Sequence, residues 1–105
     1  MRILFDQSTP APLRNHLKSH FVETTYEKDW STLSNGDLLA EAERASYDLF
    51  LTTDQNLQYQ QNLSGRKVAI LVLPTTRWPI IKQHVAEIAA AVDSIGPGQF
   101  KEMRW

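Results

Sequence analysis

The chain has 105 residues and no cysteine, a length suited to one domain and a composition that excludes disulfide and thiolate chemistry. Hydrophobic residues make up 42% and charged residues 22%, and no apolar run approaches a signal peptide or a membrane span, so we expect a single cytoplasmic domain over residues 1–105. The net charge of −1 excludes a general attraction to nucleic acid, which would have to bind through a local basic patch.

The first quarter of the chain predicts two strands separated by a short helix. Residues 2–5 form an apolar run typical of a buried strand. A helix is predicted from a cap at Ser8 or Thr9 to about Ser19, with prolines in its first turn. Residues 21–25 are rich in β-branched side chains and predict the second strand.

The middle of the chain predicts a second helix, a third strand and a polar loop. Ser34 and Asp37 have the spacing of a capping box, which indicates a helix start. Residues 49–51 predict the third strand. Residues 54–62 are rich in amides and predict a loop with a helical turn. Tyr59 and the amides could bind single-stranded bases, and the alternative is an ordinary polar surface.

The last third of the chain predicts the strongest strand and the longest helix. Residues 68–73 are apolar throughout, as in a central parallel strand that is covered on both faces. Helical spacing of apolar residues extends over 78–94, and residues 99–104 predict a weak edge strand. The alternation of strands and helices predicts a three-layer α/β/α fold with a mostly parallel sheet.

Two aspartates follow predicted strands directly and are the first candidate site residues. Asp6 ends the first strand and Asp54 follows the third. The carboxyl ends of parallel strands meet at one edge of a sheet, where ligands bind. Neither aspartate has a Lys or Arg directly beside it, which favours a site for a hard cation over an ion pair. The alternative is that both side chains only cap helices.

Asp37 and Glu41 are further candidates at the start of the second helix. Asp37 could complete an oxygen-rich site for Mg²⁺ or Mn²⁺, with Glu41 one turn further along. A cation of this kind can activate water and offset charge on a phosphate, so the acids predict phosphodiester hydrolysis. The alternatives are that Asp37 stabilises the helix dipole and that Glu41 is solvated.

Three short motifs in this order resemble the compact PIN-like domains, in particular the small DUF5615 group, which is related to toxins of the VapC type. They are Met-Arg-Ile-Leu-Phe-Asp-Gln over 1–7, Ser-Asn-Gly-Asp-Leu-Leu over 34–39, and Leu-Thr-Thr-Asp-Gln-Asn-Leu over 51–57. The resemblance covers about residues 1–75. It implies a PIN-like fold and a Mg²⁺- or Mn²⁺-dependent endoribonuclease that hydrolyses RNA through a metal-bound water, as the toxin of a toxin–antitoxin pair with an antitoxin protein as partner.

The resemblance also assigns roles by position. Asp6 and Asp54 match the acids after the first and third strands, and Asp37 is the best match to the acid at the helix start. Many relatives carry an acid two residues before Asp37, where this chain has Asn35. A fourth acid, common in full PIN domains, has no counterpart after Leu73.

These departures leave a second hypothesis open, a catalytically inactive PIN-like module that binds RNA or a protein. A third hypothesis is a phospho-acceptor receiver domain, which needs adjacent acids after the first strand and a lysine after a late strand. Gln7 follows Asp6, and Pro74 follows the fourth strand, which disfavours a receiver. Trp105 could anchor a homodimer or another partner.

Overall fold

The computed structural model of the protein describes residues 1–57 and 65–105. Within these residues it contains five short strands, β1 (Arg2–Phe5), β2 (Phe21–Thr24), β3 (Leu49–Thr52), β4 (Ala69–Val72) and β5 (Phe100–Glu102). The helices are α1 (Asn35–Arg44), α2 (Trp78–Ile81) and α3 (Val85–Ser94), with 3-10 helices over Ala11–His16 and Lys82–His84.

The strands form one entirely parallel sheet in the order β2-β1-β3-β4-β5. Strand β1 lies beside β3 with Ile3 opposite Leu49, and its other neighbour is β2. The predicted edge strand is confirmed as β5, which pairs with β4. The prediction of an α/β fold with a mostly parallel sheet is therefore confirmed.

Apolar side chains cover both faces of the sheet, because successive residues of a strand point to opposite sides. Ile3 and Phe5 pack on the face that carries α3 and the first 3-10 helix, whereas Leu4 packs on the face that carries α1. The same alternation continues in β3 and β4, whose residues are all buried. Helices on both faces of one sheet give the three-layer arrangement.

The helix predicted after β1 is only a 3-10 helix over Ala11–His16. Its N-cap is Pro10, whose side chain has no hydrogen-bonding group. The hydroxyls of Ser8 and Thr9, which were predicted to cap this helix, are bonded to Asp6 instead. Pro12 also lacks an N–H group in the first turn. The segment predicted as one helix over 78–94 is divided by the 3-10 turn Lys82–His84.

Helix α1 begins where the capping box predicts. Ser34 is the N-cap, and its hydroxyl accepts a hydrogen bond of 3.4 Å from the backbone N–H of Asp37. Among the described residues the longest helices, α1 and α3, have ten residues each, and none could cross a bilayer.

Candidate functional site at the carboxyl edge of the sheet

The connectivity of the sheet places a crevice between β1 and β3. From β1 the chain goes to β2 on one side and then returns to β3 on the other, so the strand order reverses at this point. In open α/β sheets ligands bind outside the carboxyl ends of the strands at such a reversal. Asp6 directly follows β1, and Asp54 comes two residues after the end of β3. Both predicted acids therefore belong to this edge.

Asp6 is 7% exposed and is held by hydroxyl groups. Its Oδ1 accepts hydrogen bonds from the hydroxyls of Ser8 and Thr9, both at 2.8 Å, and from the Thr9 N–H at 3.1 Å. Its Oδ2 accepts from Thr52 at 2.5 Å and again from Ser8 at 2.9 Å. The carboxylate thus orders the turn after β1, as the capping alternative expected, and keeps a fixed position at the edge.

The hydroxyl of Thr52 joins the two aspartates. Its Oγ1 donates to Oδ2 of Asp6 and accepts a hydrogen bond of 3.1 Å from the backbone N–H of Asp54. Thr52 is fully buried at the end of β3. Thr52 was not among the predicted site residues, although a polar side chain that closes an otherwise apolar strand was a usable signal.

Asp54 is partly buried and contacts the start of α1. Its Oδ2 accepts a hydrogen bond of 2.6 Å from the side-chain amide of Asn35, and its Oδ1 accepts one of 2.9 Å from the Asn56 N–H. The next residue, Gln55, donates to the carbonyl oxygen of Leu73 at 2.5 Å and so ties this loop to the end of β4. These contacts fix the loop that presents Asp54.

At the start of α1, Asn35 rather than Asp37 faces Asp54. Two residues along a helix correspond to a rotation of about 200°, so the two side chains leave the helix in opposite directions. Asp37 is exposed and its Oδ2 accepts from the Ser34 hydroxyl at 3.2 Å. Glu41 is paired with Arg44. Asp37 and Glu41 as metal ligands stay predictions, and these contacts add no support to them.

The oxygen donors at the edge are of the chemical type that binds hard cations. The side chains of Asp6, Asp54 and Thr52 offer carboxylate and hydroxyl oxygens, the atoms that Mg²⁺ and Ca²⁺ prefer. Within residues 1–57 and 65–105, neither aspartate takes part in a salt bridge. In the same residues, however, no three acidic or histidine side chains come together as a metal-binding group. Among the described residues, this edge therefore offers two carboxylates and no third acidic or histidine ligand.

A cleft of about 700 Å³ opens beside Asp6, between the turn after β1, the end of β2 and the start of α2. Its rim carries the bidentate pair of Arg14 and Glu27, with nitrogen–oxygen distances of 2.7 and 3.1 Å. The Arg14 guanidinium holds the pKa of the Glu27 carboxyl below its usual value, and a hydrogen bond from the backbone N–H of Thr24 acts in the same direction. Asp6 belongs both to the lining of this cleft and to the candidate site.

Comparisons of the chain with protein-family models, curated proteins and solved structures gave no match. The likeness to PIN-like domains therefore rests on the three short motifs and on the order of their residues along the chain. Most of the amide-rich stretch, including Tyr59, lies outside the described residues, so its predicted role in stacking on bases stays a prediction.

Proposed function

We propose that the protein is a metal-dependent endoribonuclease of the PIN-like type, with Asp6 and Asp54 as its acidic residues. The observation that carries this proposal is that the two aspartates follow neighbouring parallel strands at the reversal of strand order and share the hydroxyl of Thr52. Neither is neutralised by a basic side chain among the described residues. Two such carboxylates at a ligand-binding edge favour a divalent cation as the missing positive charge.

In this proposal Asp6 and Asp54 would hold Mg²⁺ or Mn²⁺, and the protein would act as the toxin of a toxin–antitoxin pair. A bound cation of this type supplies an activated water and offsets charge on the phosphate. The protein's own contribution is to position the acids: Ser8, Thr9 and Thr52 fix Asp6, and Asn35 fixes Asp54. An antitoxin protein is the expected partner.

The test is cleavage of labelled RNA by the purified protein in Mn²⁺, Mg²⁺ or EDTA. We expect cleavage that requires the metal and is lost in Asp6→Asn and in Asp54→Asn. Asp48→Asn is the matched control, because Asp48 directly precedes the same strand β3 at the opposite edge and would keep an acceptor for the Arg2 N–H. Equal activity of all three variants, or no cleavage in any metal, would refute the proposal.

The second candidate is a catalytically inactive PIN-like module that binds RNA or a protein. It is favoured by the four donors that bind Asp6, which are the hydroxyls of Ser8, Thr9 and Thr52 and the Thr9 N–H, because they give this carboxylate a structural role without any metal. It is also favoured by the amide of Asn35, which contacts Asp54 where many relatives carry an acid. Titration calorimetry with Mn²⁺ separates the candidates, since the nuclease requires a binding isotherm that Asp54→Asn abolishes.

A further inference from the structure

The lining of the cleft beside Asp6 combines aromatic side chains with hydroxyl groups. Trp78, from the start of α2, and Tyr26, from the turn after β2, both line it. Tyr26 is 82% exposed and Trp78 is half-buried, so both rings have surface available to a ligand. The volume of about 700 Å³ is within the range of small-ligand sites.

Thr25, at the same cleft, carries a hydroxyl that no described residue satisfies. The residue is 1% exposed, and its Oγ1 has no hydrogen-bond partner among the described residues. A buried hydroxyl without a partner destabilises the folded protein. Thr25 lines the cleft, so this buried hydroxyl lies close to the space that a ligand would fill.

The charges of the cleft indicate which part of a nucleotide it takes. Its charged side chains are Asp6, Glu27 and Arg14, and Arg14 is already paired with Glu27. The net negative charge repels a phosphate, whereas an aromatic and hydroxyl-bearing surface suits an uncharged base and its ribose. The phosphate is then left to the edge, where the cation of the proposed function would offset the charges of Asp6 and Asp54.

We propose that this cleft binds one nucleoside of a single-stranded RNA, with the base against Trp78 and Tyr26 and beside the buried hydroxyl of Thr25. The inference rests on the proposed function, for which it names the residues that hold a base. A base in a duplex is already stacked and paired, so only an unpaired base can turn into such a cleft. Stacking on an aromatic side chain also tolerates every base, which predicts weak sequence preference.

The experiment measures binding of a short fluorescein-labelled RNA in EDTA, as a single strand and annealed to its complement. We expect the single strand to bind more tightly than the duplex. Tyr26→Ala and Trp78→Ala should each weaken single-strand binding roughly tenfold, as loss of one base–aromatic stack does. The matched controls are Phe21→Ala, at the other end of β2 and 57% exposed, and Trp105→Ala, whose ring stacks on His84 at 4.3 Å.

Two further measurements keep the result independent of folding. Thr25→Val should raise Tm, since it removes an unsatisfied hydroxyl, and yet weaken RNA binding. Adding adenosine or uridine should shift the indole N–H signal of Trp78 in ¹⁵N spectra and leave that of Trp105 in place.

The outcomes separate this inference from the nuclease proposal. If RNA were cleaved in Mn²⁺ and the Tyr26, Trp78 and control variants bound the single strand with equal affinity, the role of the cleft would be refuted and the nuclease proposal supported. Binding that depends on Tyr26 and Trp78, without cleavage in any metal, would support the cleft and refute the nuclease. Absence of RNA binding and of any nucleoside-induced shift at Trp78 would overturn the cleft, as would a preference for a peptide ligand at the same residues.

Discussion

The side-chain amide of Asn35 donates a hydrogen bond of 2.6 Å to Oδ2 of Asp54. This contact links the first residue of α1 to the loop after β3 and so places a neutral group where an acid would bring a third carboxylate to the edge. An amide can hold Asp54 in position without adding negative charge. The contact therefore stabilises the protein in the absence of metal and also limits the charge that the site offers to a metal.

Asn35→Asp should make the stability of the protein depend on divalent cations. The change removes a charge-assisted hydrogen bond and brings two carboxylates together, which should cost about 1–2 kcal/mol and lower Tm by roughly 4–10 °C in EDTA. Mn²⁺ should restore the lost stability. Thermal unfolding followed by circular dichroism measures both effects. Asn15→Asp, the same change at an exposed position of the first 3-10 helix, is the control and should show neither effect. A Tm for Asn35→Asp that Mn²⁺ does not change would count against a metal at this edge.

Thr52→Val and Thr25→Val are the same chemical change and should affect stability in opposite directions. Thr52→Val deprives Asp6 of a donor and the Asp54 N–H of an acceptor, so it should lower the free energy of unfolding by about 2 kcal/mol. Thr25→Val removes a hydroxyl without a partner and should raise it by about 1 kcal/mol. Urea unfolding of both variants measures the difference. If both variants were destabilised equally, the hydrogen-bonding roles assigned to these hydroxyls would be wrong.

Asp37→Asn should leave RNA cleavage within about twofold of the wild type, since Asp37 leaves the helix on the side opposite Asn35. Its cost should be confined to stability, at about 0.5 kcal/mol, from the weaker interaction with the helix dipole. Ser34→Ala is the companion variant and should cost about 1 kcal/mol as a lost N-cap. Both are checked by urea unfolding and the cleavage assay. Loss of cleavage in Asp37→Asn, but not in Ser34→Ala, would establish Asp37 as a ligand.

Arg14→Gln should raise the pKa of Glu27 toward its ordinary value, because Arg14 is the main cause of its lowering. A carboxyl whose pKa is lower in the folded state contributes stability above the unfolded pKa and loses it as pH falls through the folded pKa. The free energy of unfolding of the wild type should therefore be higher than that of Arg14→Gln by less than about 1 kcal/mol at neutral pH, as expected of an exposed pair. This difference should vanish in acid.

NMR titration of the Glu27 carboxyl and urea unfolding at neutral and acidic pH measure the two effects of Arg14→Gln. Lys18→Gln, which removes an exposed positive charge from the neighbourhood of the first 3-10 helix, is the control and should leave the Glu27 titration unchanged. An unaltered Glu27 titration in Arg14→Gln would mean that the pair is not maintained in solution.

The strands were predictable because short apolar runs determine them locally. Residues 68–73 are apolar throughout and could fill only a strand covered on both faces, and β4 lies in the sheet with helices on both sides. The first helix was predicted wrongly, because Ser8 and Thr9 were expected to cap it, whereas their hydroxyls are bonded to Asp6, two and three residues earlier. Both sets of contacts are local, so propensity alone does not decide between them, and the further contact of the Thr9 hydroxyl with the carbonyl oxygen of Leu51, at 3.0 Å, forms only in the folded sheet.

At the candidate site, the strand ends identified Asp6 and Asp54, but the contact of Asp54 with Asn35 of α1 was not predicted. Asn35 is three and four residues before Leu38 and Leu39, which are buried against the sheet. This spacing puts Asn35 on the inward face and could have identified it from the sequence. The preference for Asp37 followed residue type, since a carboxylate suits a cation better than an amide.

The pairing of β1 with β3 sets the order in which the site can form. Asp6 and Thr52, which meet through a hydrogen bond of 2.5 Å, are 46 positions apart in the chain. Parallel pairing over such a separation requires closure of a long loop and belongs to the slow steps of folding. A chain emerging from the ribosome therefore has no assembled pair of acids until β3 has been made. For a nuclease, this order would keep the growing chain harmless to the RNA machinery that is producing it.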